Sequence, residues 1–195
     1  DLVREIIRNN GNQHIIGIDR GERHLLYYSV IDFDGNIVEQ GSLNNIDQLR
    51  SDGEIISIPY QEILKNREVN RQSGRNNWQN IQQIKDLKEG YLSHVIHKLC
   101  MLVEKYQAII VLEDLNQGFK RGRFKVERQV YQNFEMALMR KFAFLSFKDR
   151  ELCEPGGILN AYQWCNPITA YQDIFAQNGI VFYIRASYTS VVDPV

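Results

Sequence analysis

Two carboxylates, Asp19 and Glu113, each stand at the end of an apolar run. Residues 14–18 (HIIGI) lead to Asp19, and residues 108–112 (AIIVL) lead to Glu113. Short runs rich in β-branched residues are typical of buried strands, and sheet pairing holds the backbone of an acid at the tip of such a strand. Two such acids at one sheet edge would make a shared cation site, because hard cations such as Mg²⁺ prefer oxygen ligands.

The residues alone leave other interpretations of these acids open. Asp19 precedes Gly21, so a strand-end aspartate that caps a turn fits the pattern as well as a metal ligand does. Asp114 follows Glu113 directly, but neighbours on a strand point to opposite faces, so only one of the two can share a face with Asp19.

Basic residues cluster near both acids. Arg20 and Arg23 follow Asp19, where they could contact a substrate phosphate or pair with Glu22. After Glu113, two phenylalanines interleave with a cationic run made of Lys120, Arg121, Arg123 and Lys125. Cations with aromatic neighbours suit phosphate contact and base stacking, although a solvated loop has the same composition.

Two histidines, His94 and His97, lie one helical turn apart within an amphipathic stripe. They have a spacing that could bind metal, but a surface or interface role is the expectation for histidines inside an ordinary helix.

Composition bounds the class of protein. The 195 residues are 44% hydrophobic and 24% charged, with a net charge of −1, as in one soluble globular domain. No apolar run reaches membrane-spanning length and no signal peptide begins the chain. The start at Asp1 suggests a processed or excised piece. Three cysteines without C-x-x-C spacing favour a reducing compartment over a disulfide framework or zinc site.

The order of elements predicts how the acids are positioned. We expect a helix to residue 8, strands near 14–19, 25–31 and 37–43 with an Asp34-Gly35 turn, and an irregular stretch over 44–59. A helical region broken at Gly90 should follow, then a strand at 108–113, a helix over 130–145, a short helix over 168–177 and a strand at 180–184. Three strands, helix, strand, helix, strand is the order of the ribonuclease-H-like fold, a mixed α/β sheet flanked by helices. In that fold the first and fourth strands are neighbours, which would join Asp19 and Glu113.

Several segments resemble the RuvC-like nuclease segments of type V-A CRISPR effectors, which are RNA-guided DNA endonucleases. The most specific are residues 17–24 (GIDRGERH) and 113–127 (EDLNQGFKRGRFKVE), and the likeness runs along nearly the whole chain. It implies that Asp19 and Glu113 are catalytic and bind Mg²⁺, with Mn²⁺ as an alternative. It also implies a bridge-helix-like segment at 60–90 with Trp78 as its docking residue, and a lid-like loop at 117–127.

The same resemblance implies guide RNA, target DNA and the remaining lobes of the effector as partners, no membrane, and a location in the prokaryotic cytoplasm. Two Mg²⁺ ions would stabilise the attacking water and the leaving 3′ oxygen. The family's third segment, with another catalytic aspartate, is expected beyond the Asp193-Pro194-Val195 end, so the fold should be incomplete at its C-terminal end. We therefore expect this 1–195 fragment to bind metal weakly and not to cleave DNA by itself.

Three other functional classes stay in view. A transposon-encoded RNA-guided nuclease or a junction resolvase would share the fold, but the length and the 118–127 motif argue against them. An actin-like ATPase also has a Gly-Ile-Asp-x-Gly hairpin, but bulky residues follow here and a second glycine-rich phosphate loop is missing. A non-catalytic nucleic-acid-binding module is the third alternative.

Overall fold

The computed structural model describes residues 2–9, 13–19, 26–49, 51–60, 62–63, 78–114, 125–144, 151, 169–170, 172–173 and 179–185. The helices in these ranges are α1 (Leu2–Asn9), α2 (Trp78–Tyr106) and α3 (Lys125–Phe144). The strands are β1 (Ile15–Asp19), β2 (Tyr27–Ile31), β3 (Ile37–Ser42), β4 (Asn45–Leu49), β5 (Ile55–Pro59), β6 (Ile109–Asp114) and β7 (Val181–Arg185). None of the helices in the described ranges could span a membrane.

Five strands form one mixed sheet in the order β3-β2-β1-β6-β7. The first three strands are an antiparallel meander, whereas β6 runs parallel to β1 and β7 runs parallel to β6. A parallel neighbour needs a crossover connection, and α2 lies in the connection that brings the chain back to β6. This is the expected ribonuclease-H-like α/β arrangement, and the predicted pairing of the first and fourth sheet strands is confirmed.

The core lies on one face of this sheet. Alternate strand residues are buried there, among them Ile16, Ile18, Ile110 and Leu112, each at most 4% exposed. Helices α2 and α3 contribute to the same apolar cluster through side chains such as Leu99, Val103, Phe134, Leu138 and Phe142. Full burial of a large aliphatic or aromatic side chain contributes about 1.5–3 kcal/mol. The helical stripe and the strand alternation therefore stabilise a common interior.

The prediction that residues 44–59 are irregular is wrong. Strands β4 and β5 pair antiparallel as a separate two-stranded sheet, with Asn45 opposite Pro59. The turn between them contains Gly53 at φ +86°, a left-handed conformation that glycine adopts without steric cost. The Asp52-Gly53 pair is a hairpin signal, which the polar residues around it concealed.

The predicted break at Gly90 is also wrong, because α2 continues without interruption from Trp78 to Tyr106. Tyr60, which follows β5, packs its ring 5.2 Å from that of Tyr91, and a Cβ atom at position 90 would lie 3.9 Å from the Tyr60 hydroxyl oxygen. Glycine in a helix costs about 1 kcal/mol relative to alanine. Tertiary packing of the helix offsets that cost here.

One further predicted element, the short helix over 168–177, can be compared with the structure only in part. The predicted helix at 168–177 falls mostly outside the described residues. Within them, the Asp173 carboxylate accepts hydrogen bonds from the backbone amides of Thr169 and Ala170 and from the Thr169 hydroxyl. These bonds hold the pKa of Asp173 below its ordinary value, with the Ala170 amide contributing most.

Candidate active site

The two acids singled out in the sequence lie at the same end of adjacent strands. The parallel register pairs Ile18 of β1 with Leu112 of β6, so the next residues on the two strands are Asp19 and Glu113. Neighbouring strands are about 4.8 Å apart. The backbone therefore delivers both carboxylates to one edge of the sheet, roughly one strand spacing from each other.

Both acids face away from the helical core. Ile18 and Leu112 are buried in the core, and successive strand residues alternate between faces, so Asp19 and Glu113 project from the opposite face. Asp19 is exposed and Glu113 is partly buried. A solvent-accessible pair on a stiff backbone is an arrangement that a phosphate group could approach.

Contacts at the ends of β1 and β6 that lie away from the acids fix the register of these two strands. His14, just before β1, donates a hydrogen bond from Nδ1 to the Tyr106 carbonyl oxygen at 3.0 Å, and its ring lies 5.4 Å from that of Tyr106. The Ile109 amide donates to the His14 carbonyl oxygen at 3.0 Å. A slip of one residue would send one acid into the core face. These contacts therefore help to keep Asp19 beside Glu113.

The helix that precedes β6 ends in a defined way. Gln107 has φ +52°, the left-handed conformation in which many helices terminate. The chain then turns directly into Ala108 and β6, and the Ala108 amide bonds to the Val103 carbonyl oxygen at 3.2 Å. This tight connection fixes where β6 begins, and it therefore also helps to fix the position of Glu113 at the end of that strand.

Two further residues border the acids, and the sequence had not singled them out. Tyr27 of β2 pairs directly with Asp19, and Ile184 of β7 pairs with Glu113. Directly paired residues share a face of a sheet, so the acids lie between an aromatic and an aliphatic side chain. The sequence predicted a strand that contains Tyr27. Only the observed pairing of β1 with β2 shows that Tyr27 lies opposite Asp19.

The donor set fits a hard divalent cation. Carboxylate oxygens are the ligands that Mg²⁺ prefers, and it commonly keeps several waters beside one or two carboxylates. Among the residues that the structure describes, no group of three or more His, Cys, Asp or Glu side chains could hold a metal. The two carboxylates that β1 and β6 bring to one sheet edge would supply two ligands, and within the described ranges His94 and His97 belong to no group of three such side chains.

The other predicted site residues are only partly visible. Arg20, Arg23, Lys120, Arg121 and Arg123 lie outside the described residues. Lys125 is the first residue of α3 and Trp78 is the first residue of α2.

The helix boundaries bear on two of the predicted segments. The lid-like loop was placed at 117–127, but residues 125–127 form the first turn of α3, and the rest of that segment lies outside the described residues. In the bridge-helix-like segment at 60–90, residues 60, 62, 63 and 78–90 are helical, and residues 78–90 belong to α2. Residues 61 and 64–77 lie outside the described residues.

A family comparison agrees with this arrangement. The model of the RuvC nuclease domain matches residues 1–194. The chain belongs to the RuvC nuclease domain family. Members of this family are nucleases that generally depend on divalent metal, which agrees with a pair of carboxylates on adjacent strands. The RuvC match assigns the chain to a nuclease family and not to the actin-like ATPases.

Proposed function

We propose that this RuvC domain hydrolyses phosphodiester bonds of DNA as part of an RNA-guided endonuclease of the type V-A CRISPR class. The observation that carries the catalytic part is the parallel register that sets Asp19 beside Glu113 at one sheet edge. The effector class rests on the motifs at 17–24 and 113–127. The RuvC family is common to several nuclease systems, so these motifs are what favours an RNA-guided effector.

Asp19 and Glu113 would hold the divalent cation, Mg²⁺ or Mn²⁺. When bound, such ions supply charge stabilisation at the phosphate and activate the attacking water, in a two-metal arrangement. The chain's own contribution is positioning: β1 and β6 fix both carboxylates before substrate arrives, so little reorganisation is needed during the reaction. Because Asp19 is exposed, the pair can be reached by a strand without opening the core.

The remaining roles follow the same proposal. Arg20, Arg23 and the cationic run of Lys120, Arg121, Arg123 and Lys125 would contact phosphates of the scissile strand. Trp78 would dock α2 into a neighbouring lobe, and residues 117–124 would cover the site after the guide and target have paired. Guide RNA and target DNA are the partners, and a third aspartate from a further RuvC segment would complete the ligand set.

The first test is metal binding by the chain itself. Calorimetric titration with Mn²⁺ should give weak binding that is lost in Asp19→Asn and in Glu113→Gln. Asp34→Asn is the matched control, because it removes one carboxylate from an exposed turn. Binding that survives in both site variants would contradict the assignment of the ligands.

The second test is cleavage. The 195-residue chain with Mn²⁺ should leave single-stranded DNA intact, whereas a polypeptide that also supplies the third RuvC segment and the guide-binding lobes should cut guided DNA. In that polypeptide, Asp19→Ala or Glu113→Ala should lower the cleavage rate by several orders of magnitude, because an ill-placed metal loses charge stabilisation of the transition state. Cleavage by the chain alone that disappears in Asp19→Ala would show that two carboxylates already suffice.

A further inference from the structure

Gly17 lies in the middle of β1, on the same face of the sheet as Asp19. Burial alternates along β1, with Ile16 and Ile18 inside the core, so positions 17 and 19 both belong to the opposite face. Glycine weakens a strand, because it loses more conformational freedom on folding than other residues and has no side chain to pack. A glycine two residues before a candidate metal ligand therefore needs a physical reason.

The backbone of β1 does not require a glycine at this position. Within the described part of the chain the glycines with positive φ are Gly35 and Gly53, and Gly17 is not among them. The register of β1 runs without a shift against β2 and against β6, so position 17 is not a β-bulge either. An alanine would therefore fit the conformation of the strand.

The packing around Gly17 does not require a glycine either. A Cβ atom there would meet the Ser29 carbonyl oxygen at 3.9 Å, an ordinary contact distance, and among the described residues no atom lies closer. Gly41 is the opposite case, because a Cβ atom at that position would lie 3.1 Å from the Tyr28 ring. Gly17 is only partly buried, so solvent reaches the space over it.

This space adjoins the two acids. Two residues along a strand span about 6.6 Å, which separates Gly17 from Asp19 on their common face. Gly17 pairs with Ser29 of β2 and with Val111 of β6, and Val111 is two residues before Glu113. The backbone at Gly17 is therefore the lowest part of the sheet surface next to both carboxylates.

We propose that the space over Gly17 holds the sugar of the nucleotide whose phosphate the acids bind through a divalent cation. A glycine in a strand interior is typical of a site where a ligand approaches the backbone closely. The sugar is joined to its phosphate through one ester oxygen, so it lies beside a phosphate that is held at the acids. The proposal rests on the nuclease function, and it adds a substrate contact that the acids and the cation do not supply.

The test compares two phosphodiesters that differ in whether they carry sugars. The isotope-labelled 195-residue chain is titrated in Mg²⁺ with a thymidine dinucleotide (TpT) and, separately, with dimethyl phosphate, and the amide resonances of β1 report binding by nuclear magnetic resonance. Gly17→Ala should weaken TpT binding about tenfold or more, because overpacking at a contact has a cost of that size. It should leave the binding of dimethyl phosphate unchanged.

Gly90→Ala is the matched control. It also adds one methyl group whose nearest described neighbour is 3.9 Å away, but in α2 and not in β1, so its TpT affinity should equal that of the unmodified chain. Gly17→Ala should unfold at the same urea concentration as the unmodified chain or at a higher one, since alanine suits a strand better than glycine. A loss of stability would overturn the proposal, because it would show that another part of the protein packs against Gly17.

A second variant approaches the same space from β2. Ser29→Val adds bulk on the face that Ser29 shares with Gly17, so it should also weaken TpT binding and spare dimethyl phosphate. Equal TpT affinities for Gly17→Ala and the unmodified chain would overturn the proposal. The absence of saturable shifts with TpT in the unmodified chain would overturn it as well.

The outcome can be separated from that of the nuclease assignment. Binding of both phosphodiesters should require Mg²⁺ and should be lost in Asp19→Asn with Glu113→Gln. If that requirement is found but Gly17→Ala binds TpT normally, the sugar contact fails alone. If TpT binding survives in the double variant and still falls in Gly17→Ala, the assignment of the acids is wrong and the sugar contact stands.

Discussion

The Glu39 carboxylate of the edge strand β3 accepts a 2.6 Å hydrogen bond from the Tyr106 hydroxyl at the end of α2. The same carboxylate accepts from Lys105 Nζ at 2.8 Å and from the Tyr28 hydroxyl at 2.9 Å. One acid therefore joins the edge of the sheet to the helix that leads into β6. Hydrogen bonds from Lys105 first, and then from Tyr106, lower the pKa of Glu39 to about 2.

Glu39→Gln should destabilise the fold by about 1–2 kcal/mol at pH 7, a range reduced for solvent screening of this partly exposed group. Its folded pKa of about 2 is below the ordinary 4.5, so the carboxylate stabilises the fold above about pH 4.5, and this stabilisation is lost as pH falls toward 2. Urea unfolding at several pH values measures the difference, which should shrink between pH 4.5 and 2. Asp34→Asn is the charge-matched control. A difference that does not change with pH would mean that only packing was lost.

Gly41→Ala should destabilise the sheet. Gly41 pairs with Tyr28, and a Cβ atom there would lie 3.1 Å from Tyr28 Cε1 and 3.2 Å from its hydroxyl oxygen. The Tyr28 ring cannot easily move, because it is 6% exposed and bonded to Glu39. Overpacking of this kind costs about 1–3 kcal/mol, and chemical unfolding would measure it.

Gly90→Ala provides the contrast for that experiment. The added methyl group would meet the Tyr60 hydroxyl oxygen at an ordinary 3.9 Å, and alanine is favoured over glycine inside a helix by about 1 kcal/mol. This variant should therefore be more stable than the unmodified chain. Stabilisation by Gly41→Ala, or a large loss with Gly90→Ala, would show that the packing around Tyr28 or Tyr60 is misassigned.

Cys100 should react slowly with thiol reagents in the folded chain. It is 6% exposed, and burial raises its pKa from 9.0 to about 11. The thiolate is the nucleophile, so ionisation alone lowers the rate about 100-fold at pH 8. In a Cys153→Ser, Cys165→Ser variant, Cys100 should react with a disulfide reagent rapidly in urea and slowly without it. Similar rates in both conditions would place this thiol at the surface.

Mg²⁺ should raise the unfolding temperature through the paired carboxylates, because a bound cation relieves the repulsion between them. With a dissociation constant of about 1 mM, 10 mM Mg²⁺ would add about 1.4 kcal/mol to the free energy of unfolding. Thermal unfolding at matched ionic strength measures the shift, and Asp19→Asn should remove it. An equal shift in that variant would assign the stabilisation to another site.

The central sheet and the acid pair were predictable because their signals are local. The runs before Asp19 and Glu113 are short, apolar and β-branched, and the element order predicted that their strands are neighbours. The Glu39 network had no comparable signal, since its partners Lys105 and Tyr106 lie 66 and 67 residues away. The open space over Gly17 likewise depends on the strands that pair beside it, which the residues of β1 alone do not specify.

The errors have physical causes of the same kind. The β4–β5 hairpin was missed because its Asp52-Gly53 turn lies in a polar stretch, so the strand alternation was weak. The break expected at Gly90 followed intrinsic propensity, which tertiary contacts override when packing is available, as it is here against Tyr60.

The unbroken length of α2 has a mechanical consequence. At 1.5 Å per residue, its 29 residues make a rod of about 43 Å. Its last turns are seated in the core and bonded to Glu39, and after Gln107 and Ala108 the chain enters β6, which leads to Glu113. A rotation or tilt of α2 as a rigid body would therefore be transmitted through Tyr106 to the start of the strand that carries Glu113.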